Sequence, residues 1–209
     1  TRLQTVADCF CGAAGFAEGC RLGGFRVVFA VDNWSPARLT HKLNHPDCEH
    51  PGLDCLHETK GDITKIDPAD IPDTDVIVGS PPCVTFSSSN KAGKADKSSG
   101  LELMKAYLKI VAIKKHKRGS KLRYWLMENV PNSMKYTEET YTFKALGIDT
   151  KTLKRFNIGK SPDDIALTIN KDGMLFDSAE YGVPQRRKRF VCGEFPVPEK
   201  THEDESTQI

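Results

Sequence analysis

Val76-Ile77-Val78-Gly79-Ser80-Pro81-Pro82-Cys83 joins an apolar run to two prolines and a cysteine. The β-branched run suits a covered, pleated strand. Neither proline can donate to a sheet ladder and each fixes its own φ, so the strand ends rigidly. Cys83 is thereby presented at the carboxyl end of a buried strand, where open α/β sheets bind ligands. A cysteine so placed is either a nucleophile or a small packed hydrophobe, and this stretch alone leaves both readings open.

Working back toward the amino terminus, residues 3–7 read as a first strand. Asp8-Cys9-Phe10-Cys11-Gly12-Ala13-Ala14-Gly15-Phe16-Ala17-Glu18-Gly19 then forms a tight turn of small residues opening a helix. Its glycines allow positive φ and close backbone approach, which suits a nucleotide-like ligand, although a plain strand–helix turn has the same composition. The Gly-x-Gly-x-x-Gly dinucleotide spacing is absent. Residues 25–31 read as a second strand with Asp32 at its end, about twenty residues past the turn, where a ribose hydroxyl pair would be held. Trp34 could serve a ligand or the core. A helix is expected to follow, with Ser35 as N-cap and Pro36 at its first position.

His41, His45, Cys48, His50, Cys55 and His57 crowd the next stretch, and Cys48-x-His50 and Cys55-x-His57 invite a zinc reading. The spacing matches none of the common structural-zinc patterns, so a polar loop without metal is expected. Gly61-Asp62-Ile63 reads as a third strand end, with a carboxylate placed to meet an adenine amino group. Residues 67–75 form a Pro/Asp-rich connection.

Beyond Cys83, residues 84–100 cannot build a core and read as a mobile loop able to close over a substrate. Residues 101–117 have helical periodicity. The basic run from Lys114 to Arg118 complements a helix C-terminus, at the sheet end opposite Cys83. Residues 124–127 form another strand, closed by Glu128-Asn129-Val130-Pro131, so Glu128 emerges at the same edge as Cys83. A buried glutamate needs a partner. Residues 136–170 are polar and yield no clear elements. Gln185-Arg186-Arg187-Lys188-Arg189 runs directly into a last strand at 190–192, which turns alternate basic side chains inward.

The 209 residues suffice for one well-cored domain. A hydrophobic content of 38% and a charged content of 28% fit a globular chain. No stretch reads as a membrane span or signal peptide. Seven cysteines without a regular framework suggest reduced thiols. A net charge of +2 is a weaker basic excess than a self-sufficient nucleic-acid binder shows.

Taken together, Phe10-x-Gly12-x-x-Gly15, Pro82-Cys83, Glu128-Asn129-Val130 and Gln185-x-Arg187-x-Arg189 resemble the ordered motif set of DNA cytosine carbon-5 methyltransferases, with Asp32 and Asp62 in between. The resemblance covers residues 3 to about 198. It implies a Rossmann-like α/β fold dependent on S-adenosylmethionine, with a mixed, mostly parallel sheet and helices on both faces. Phe10 would pack on the adenine, and Gly12, Ala13 and Gly15 would border the methionine. Asp32 would take the ribose hydroxyls and Asp62 the adenine amine, with Asn33, Ile63 and Pro82 completing the cofactor site. Cys83 would attack carbon 6 of a flipped-out cytosine in double-stranded DNA. Glu128 would hold the ring nitrogen and exocyclic amine, Arg189 the carbonyl oxygen, and Arg187 the Cys83 loop. Ser80, Pro81, Phe86, Ser87 and Asn129 would line the substrate side.

Two departures stand out. Ala14 occupies a position where the family usually has glycine. The family's target-recognition region and last two motifs have no counterpart after residue 198; residues 199–209 read as an acidic tail or the start of a missing region. Residues 1–198 are therefore expected to be a catalytic domain completed by a second polypeptide or a missing segment. The expected setting is cytoplasmic, in a prokaryote or phage, or nuclear in a eukaryote. A transfer RNA cytosine methyltransferase and a non-catalytic subunit retaining the fold are the competing readings.

Overall fold

The computed structural model describes residues 2–50, 61–83 and 97–202. Its elements are β1 (Thr5–Cys9), α1 (Gly15–Leu22), β2 (Arg26–Val31), α2 (Ser35–Asn44), β3 (Val76–Gly79), α3 (Lys97–His116), β4 (Tyr124–Asn129), β5 (Thr140–Thr142), α4 (Thr150–Arg155), β6 (Ile165–Thr168), β7 (Leu175–Asp177) and β8 (Lys188–Glu194). The main sheet has the order β2-β1-β3-β4-β8-β7. Strands β2, β1, β3 and β4 run parallel, and β8 is antiparallel to both β4 and β7. This is the mixed, mostly parallel α/β sheet expected. Because β1 lies between β2 and β3, the chain reverses its direction of winding there, opening a crevice at the strands' carboxyl ends.

Strand alternation sorts the core into two layers. Ala7, Cys9, Ile77, Trp125, Met127, Phe190 and Cys192 face α3, meeting Met104, Tyr107, Leu108 and Val111. Val6, Val27, Ala30, Val76 and Val78 face the other way, meeting Ala14 and Ala17 at α1. Helices thus cover both faces, α3 on one and α1 on the other.

Several boundaries differ from the sequence reading. β1 runs to Cys9, so Asp8 is a buried strand residue rather than part of the turn. Trp34, not Ser35, occupies the N-cap of α2, without a side-chain cap. Gly61-Asp62-Ile63 is no strand end: residues 63–65 form a turn, capped by Asp62, whose Oδ1 accepts from Thr64 N (3.0 Å) and Thr64 Oγ1 (2.7 Å). α3 begins at Lys97 rather than at 101.

The largest difference lies in residues 136–170, which carry β5, α4 and β6. Tyr141, Phe143, Leu146, Ile148, Leu153, Ile158, Leu167 and Ile169 are buried there and join the α3 core layer. The elements are three to six residues long, too short for their apolar residues to establish a period. The basic end of α3 is structural, as expected. Lys114 and Lys117 pair with Asp73, Lys114 also donates to the Ile71 carbonyl, and Lys115 pairs with Glu194.

Candidate active site

The glycine turn after β1 is wound through alternating left-handed residues: Phe10 (φ 61°), Gly12 (φ 51°) and Ala14 (φ 86°). Two of these are not glycine, and each costs roughly 1–2 kcal/mol that the surrounding structure must offset. The winding points backbone groups at Asp32. Gly12 N donates to Asp32 Oδ2 (3.1 Å) and Trp34 N to Asp32 Oδ1 (2.9 Å). A Cβ built at Gly12 or Gly15 would meet nothing within 4 Å, so both border open space. Ala13 and Asn33 are exposed and Phe10 is half-buried at this rim, whereas Ile63 is buried in the main core. Trp34 is 66% exposed, which removes it from the core.

Two residues that the sequence reading missed hold this rim. Arg38, on the buried side of α2, donates to the Asp32 carbonyl. Gly61 leaves room for it, since a Cβ there would lie 2.3 Å from both the Arg38 guanidinium and the Asp32 carbonyl. Only that small residue, too far from Asp32 in sequence to be connected with it, hints at the arrangement. A carboxylate that keeps free lone pairs beside exposed glycine backbone fits the diol of a nucleoside. Asp62 is engaged by its own turn and by Lys65 (3.0 Å).

β3 ends at Gly79, where a Cβ would come within 2.4 Å of the Tyr107 ring, so no side chain fits. Tyr107, also missed, donates to Leu126 O (2.6 Å) and reaches Ile77 O (3.2 Å), fastening β3 to β4 just short of the site. Ser80 N donates to Cys9 O (3.2 Å), and Asn129 Nδ2 to Pro81 O (3.0 Å), which fixes the Ser80–Cys83 segment from both neighbouring strands. Asn129 is thus a buried brace.

Ser80, Pro81, Pro82, Cys83, Glu128, Val130, Arg187 and Arg189 line one cavity of about 160 Å³. Ser80 Oγ donates to Glu128 Oε2 (2.6 Å), and Arg189 Nε lies 2.7 Å from Glu128 Oε1. The β4–β8 register explains the second contact. Val191 opposes Glu128, so Arg189, two residues earlier on the same face, is its diagonal neighbour. The inward turn predicted for alternate basic residues holds for Arg189; Arg187 is exposed but still lines the cavity. Ser80 and Cys83 from one segment are therefore brought together with Glu128 and Arg189, each distant from it in sequence. Phe86 and Ser87, with the rest of the predicted loop up to residue 96, lie outside the described residues, as do Cys55 and His57. His41, Cys48 and His50, expected in a polar loop, are instead buried together.

The chain is 30% identical over 203 residues to the type II methyltransferase M.MthTI of Methanothermobacter thermautotrophicus, covering 92% of this chain and 52% of the relative. It is 32% identical over 197 residues to M.HgiDI of Herpetosiphon aurantiacus, covering 91% and 52%. It also aligns with the crystal structure of a candidate DNA modification methyltransferase encoded within a prophage of E. coli. That match has a TM-score of 0.58 and 24% identity, over 91% of this chain and 46% of the other, and shows the shared fold. The chain spans about half the length of the curated relatives it matches. The family model for C-5 cytosine-specific DNA methylases matches residues 4–206, and the chain belongs to that family.

Proposed function

We propose that this chain is the catalytic part of a type II DNA cytosine-5 methyltransferase, and that a further segment or second polypeptide completes target recognition. The observation that carries the reading is the convergence of Cys83, Glu128 and Arg189 on one cavity. Cytosine carbon 5 is a weak nucleophile. Addition of the Cys83 thiolate forms an Sγ–C6 bond and displaces the C5–C6 π pair, making an enamine whose carbon 5 can attack an electrophile. Glu128 holds the ring nitrogen and exocyclic amine while the ring accepts a proton, and Arg189 stabilises charge on the carbonyl oxygen. Ser80 and Arg189 fix the Glu128 carboxylate before substrate arrives. Loss of the C5 proton then expels the thiolate and restores the aromatic ring.

S-adenosylmethionine, when bound, supplies the electrophilic methyl group. Gly12, Gly15, Asp32 and the exposed Trp34 indole fit its nucleoside; Asp62 would reach the adenine amine only by sharing the carboxylate that now caps its turn. The target base must leave the duplex first, at a cost of a few kcal/mol.

The need for a further segment is supported by the uncovered part of the sheet. Phe16, Leu126, Phe176, Tyr181, Val191 and Phe195 line an apolar hollow of about 440 Å³ on the α1 face. Sheets with a parallel centre are ordinarily covered on both faces. Among the described residues no helix is long and apolar enough to cross a membrane. The bacterial and archaeal relatives favour the prokaryotic setting over the nuclear one.

The test is methyl transfer from labelled S-adenosylmethionine to unmethylated duplex DNA, by wild type and Cys83→Ala, with transfer RNA as a second substrate. Label in DNA that vanishes in Cys83→Ala is expected once the completing segment is supplied. Label in transfer RNA alone would replace the DNA reading. Duplexes carrying 5-fluorocytosine, which has no C5 proton to lose, should trap a denaturation-resistant adduct; its absence in an active enzyme would exclude the covalent route.

A further inference from the structure

Three side chains that ligate metals meet behind the sheet's outer strand, away from the proposed catalytic cavity. His41 lies on the buried side of α2 with Ala37 and Arg38. After α2 the chain turns back along β2, where Ala30 N donates to Glu49 O (2.9 Å) and Glu49 N to Val28 O (2.9 Å). Glu49 forms a parallel bridge with Phe29, and alternation about it turns Cys48 and His50 to the same side. His41, Cys48 and His50 are all buried, and their ligand atoms lie within 4.8 Å of one another.

A hydrogen-bonded histidine pair does not account for the cluster. His41 Nδ1 and His50 Nε2 face each other at 2.8 Å, which satisfies one nitrogen of each ring. His41 Nε2 and His50 Nδ1 remain buried without hydrogen-bond partners among the described residues, as does Nε2 of His45, whose ring lies 4.8 Å from that of His41. Cys48 Sγ makes only a long contact to the Glu49 carbonyl, at 3.7 Å. Unpaired buried polar atoms are costly, and the three imidazoles that carry them pack together, the His45 and His50 rings each 4.8 Å from that of His41.

We propose that His41, Cys48 and His50 form a structural zinc site, with His45 as the fourth ligand. One thiolate and two or three imidazoles suit a borderline ion with tetrahedral preference and not a hard cation such as magnesium. Bonds of about 2.3 Å to sulfur and 2.0–2.1 Å to nitrogen set ligand atoms roughly 3.3–3.8 Å apart, so His41, Cys48 and His50 need move only about 1 Å, and His45 turns in from its place beside His41. On binding, Cys48 loses its thiol proton to solvent, and the ring that donates in the His41–His50 pair moves its proton to its other nitrogen, so that both facing nitrogens meet the ion. The ion ties the end of α2 to the outer edge of β2. That fastening holds the helix whose Arg38 braces Asp32, so the site stabilises the nucleoside rim from behind.

The test uses the full chain purified without chelator. Mass spectrometry is expected to find about one zinc ion per chain, and exchange for cobalt(II) to give a thiolate-to-cobalt charge-transfer band that Cys48→Ser abolishes. His45→Gln should weaken zinc binding about 10-fold or more. Protein recovered without zinc, whose melting temperature does not rise when zinc is added after chelation, overturns the proposal. So does cobalt bound without the thiolate band, which needs no variant to fold and places Cys48 outside the ligand set.

Discussion

Glu128 derives its orientation from two contacts, Ser80 Oγ at 2.6 Å and Arg189 Nε at 2.7 Å. Ser80 touches no reacting atom in the proposed mechanism and is a positioning residue. Ser80→Ala is expected to lower kcat about 10-fold with KM for DNA little changed, since a hydrogen bond to a charged group is worth roughly 1.5–3 kcal/mol. Steady-state kinetics of the transfer-competent assembly would show it; a rise in KM alone would mean that Ser80 contacts DNA instead. Asp8 gives a separate residue-scale effect. It is fully buried, with neither carboxylate oxygen hydrogen-bonded among the described residues. Burial pushes its pKa up to about 8, the neighbouring Ala17 amide opposes the rise and the Asp32 charge adds to it. The folded state therefore keeps a proton that the unfolded chain releases near pH 4. The stability due to Asp8 is complete below that pH and is lost as pH rises through about 8. Urea unfolding at pH 5.5 and 8.5 should show wild type losing a few kcal/mol more than Asp8→Asn over that interval. Equal losses would mean that Asp8 ionises normally.

At the scale of the element, the basic end of α3 is a structural charge cluster. Lys114 is 4% exposed and is held by Asp73 and the Ile71 carbonyl. Asp73→Asn leaves that ammonium without its counter-charge and is expected to cost about 2–3 kcal/mol, less than a fully buried pair because Asp73 is partly solvated. Lys114→Met should recover much of the loss in the double variant. Lys117→Gln should leave the salt dependence of DNA binding unchanged. A lysine on a phosphate would instead reduce the logarithmic slope by about 0.9. β8 shows the converse case, in which a strand carries the basic run and the proposed function draws on it. Its register against β4 delivers Arg189 to Glu128, while Lys188, one residue earlier, stays exposed.

At the scale of the whole molecule, the proposed further segment has a place to dock, the apolar hollow on the α1 face of the sheet. If a further segment covers that face, Phe176→Ser with Val191→Thr should reduce hydrophobic-dye binding by the isolated chain and weaken its complementation by that segment. Dye binding unchanged by the pair would locate the exposed apolar surface elsewhere. The sequence by itself determined where β1, β2, β3, β4 and β8 lie along the chain, because each is an apolar run bounded by residues that cannot extend it. It also singled out Cys83, Glu128 and Arg189 as the candidates for the proposed chemistry, since few residue types serve those roles. It did not determine what lies between. The folding of residues 136–170 against α3, the Tyr107 fastening at Gly79, the Arg38 brace on Asp32 and the burial of His41 with Cys48 and His50 were decided by tertiary structure. Each depends on contacts between segments far apart in the chain or on elements too short to show a period, and local sequence carries no record of either.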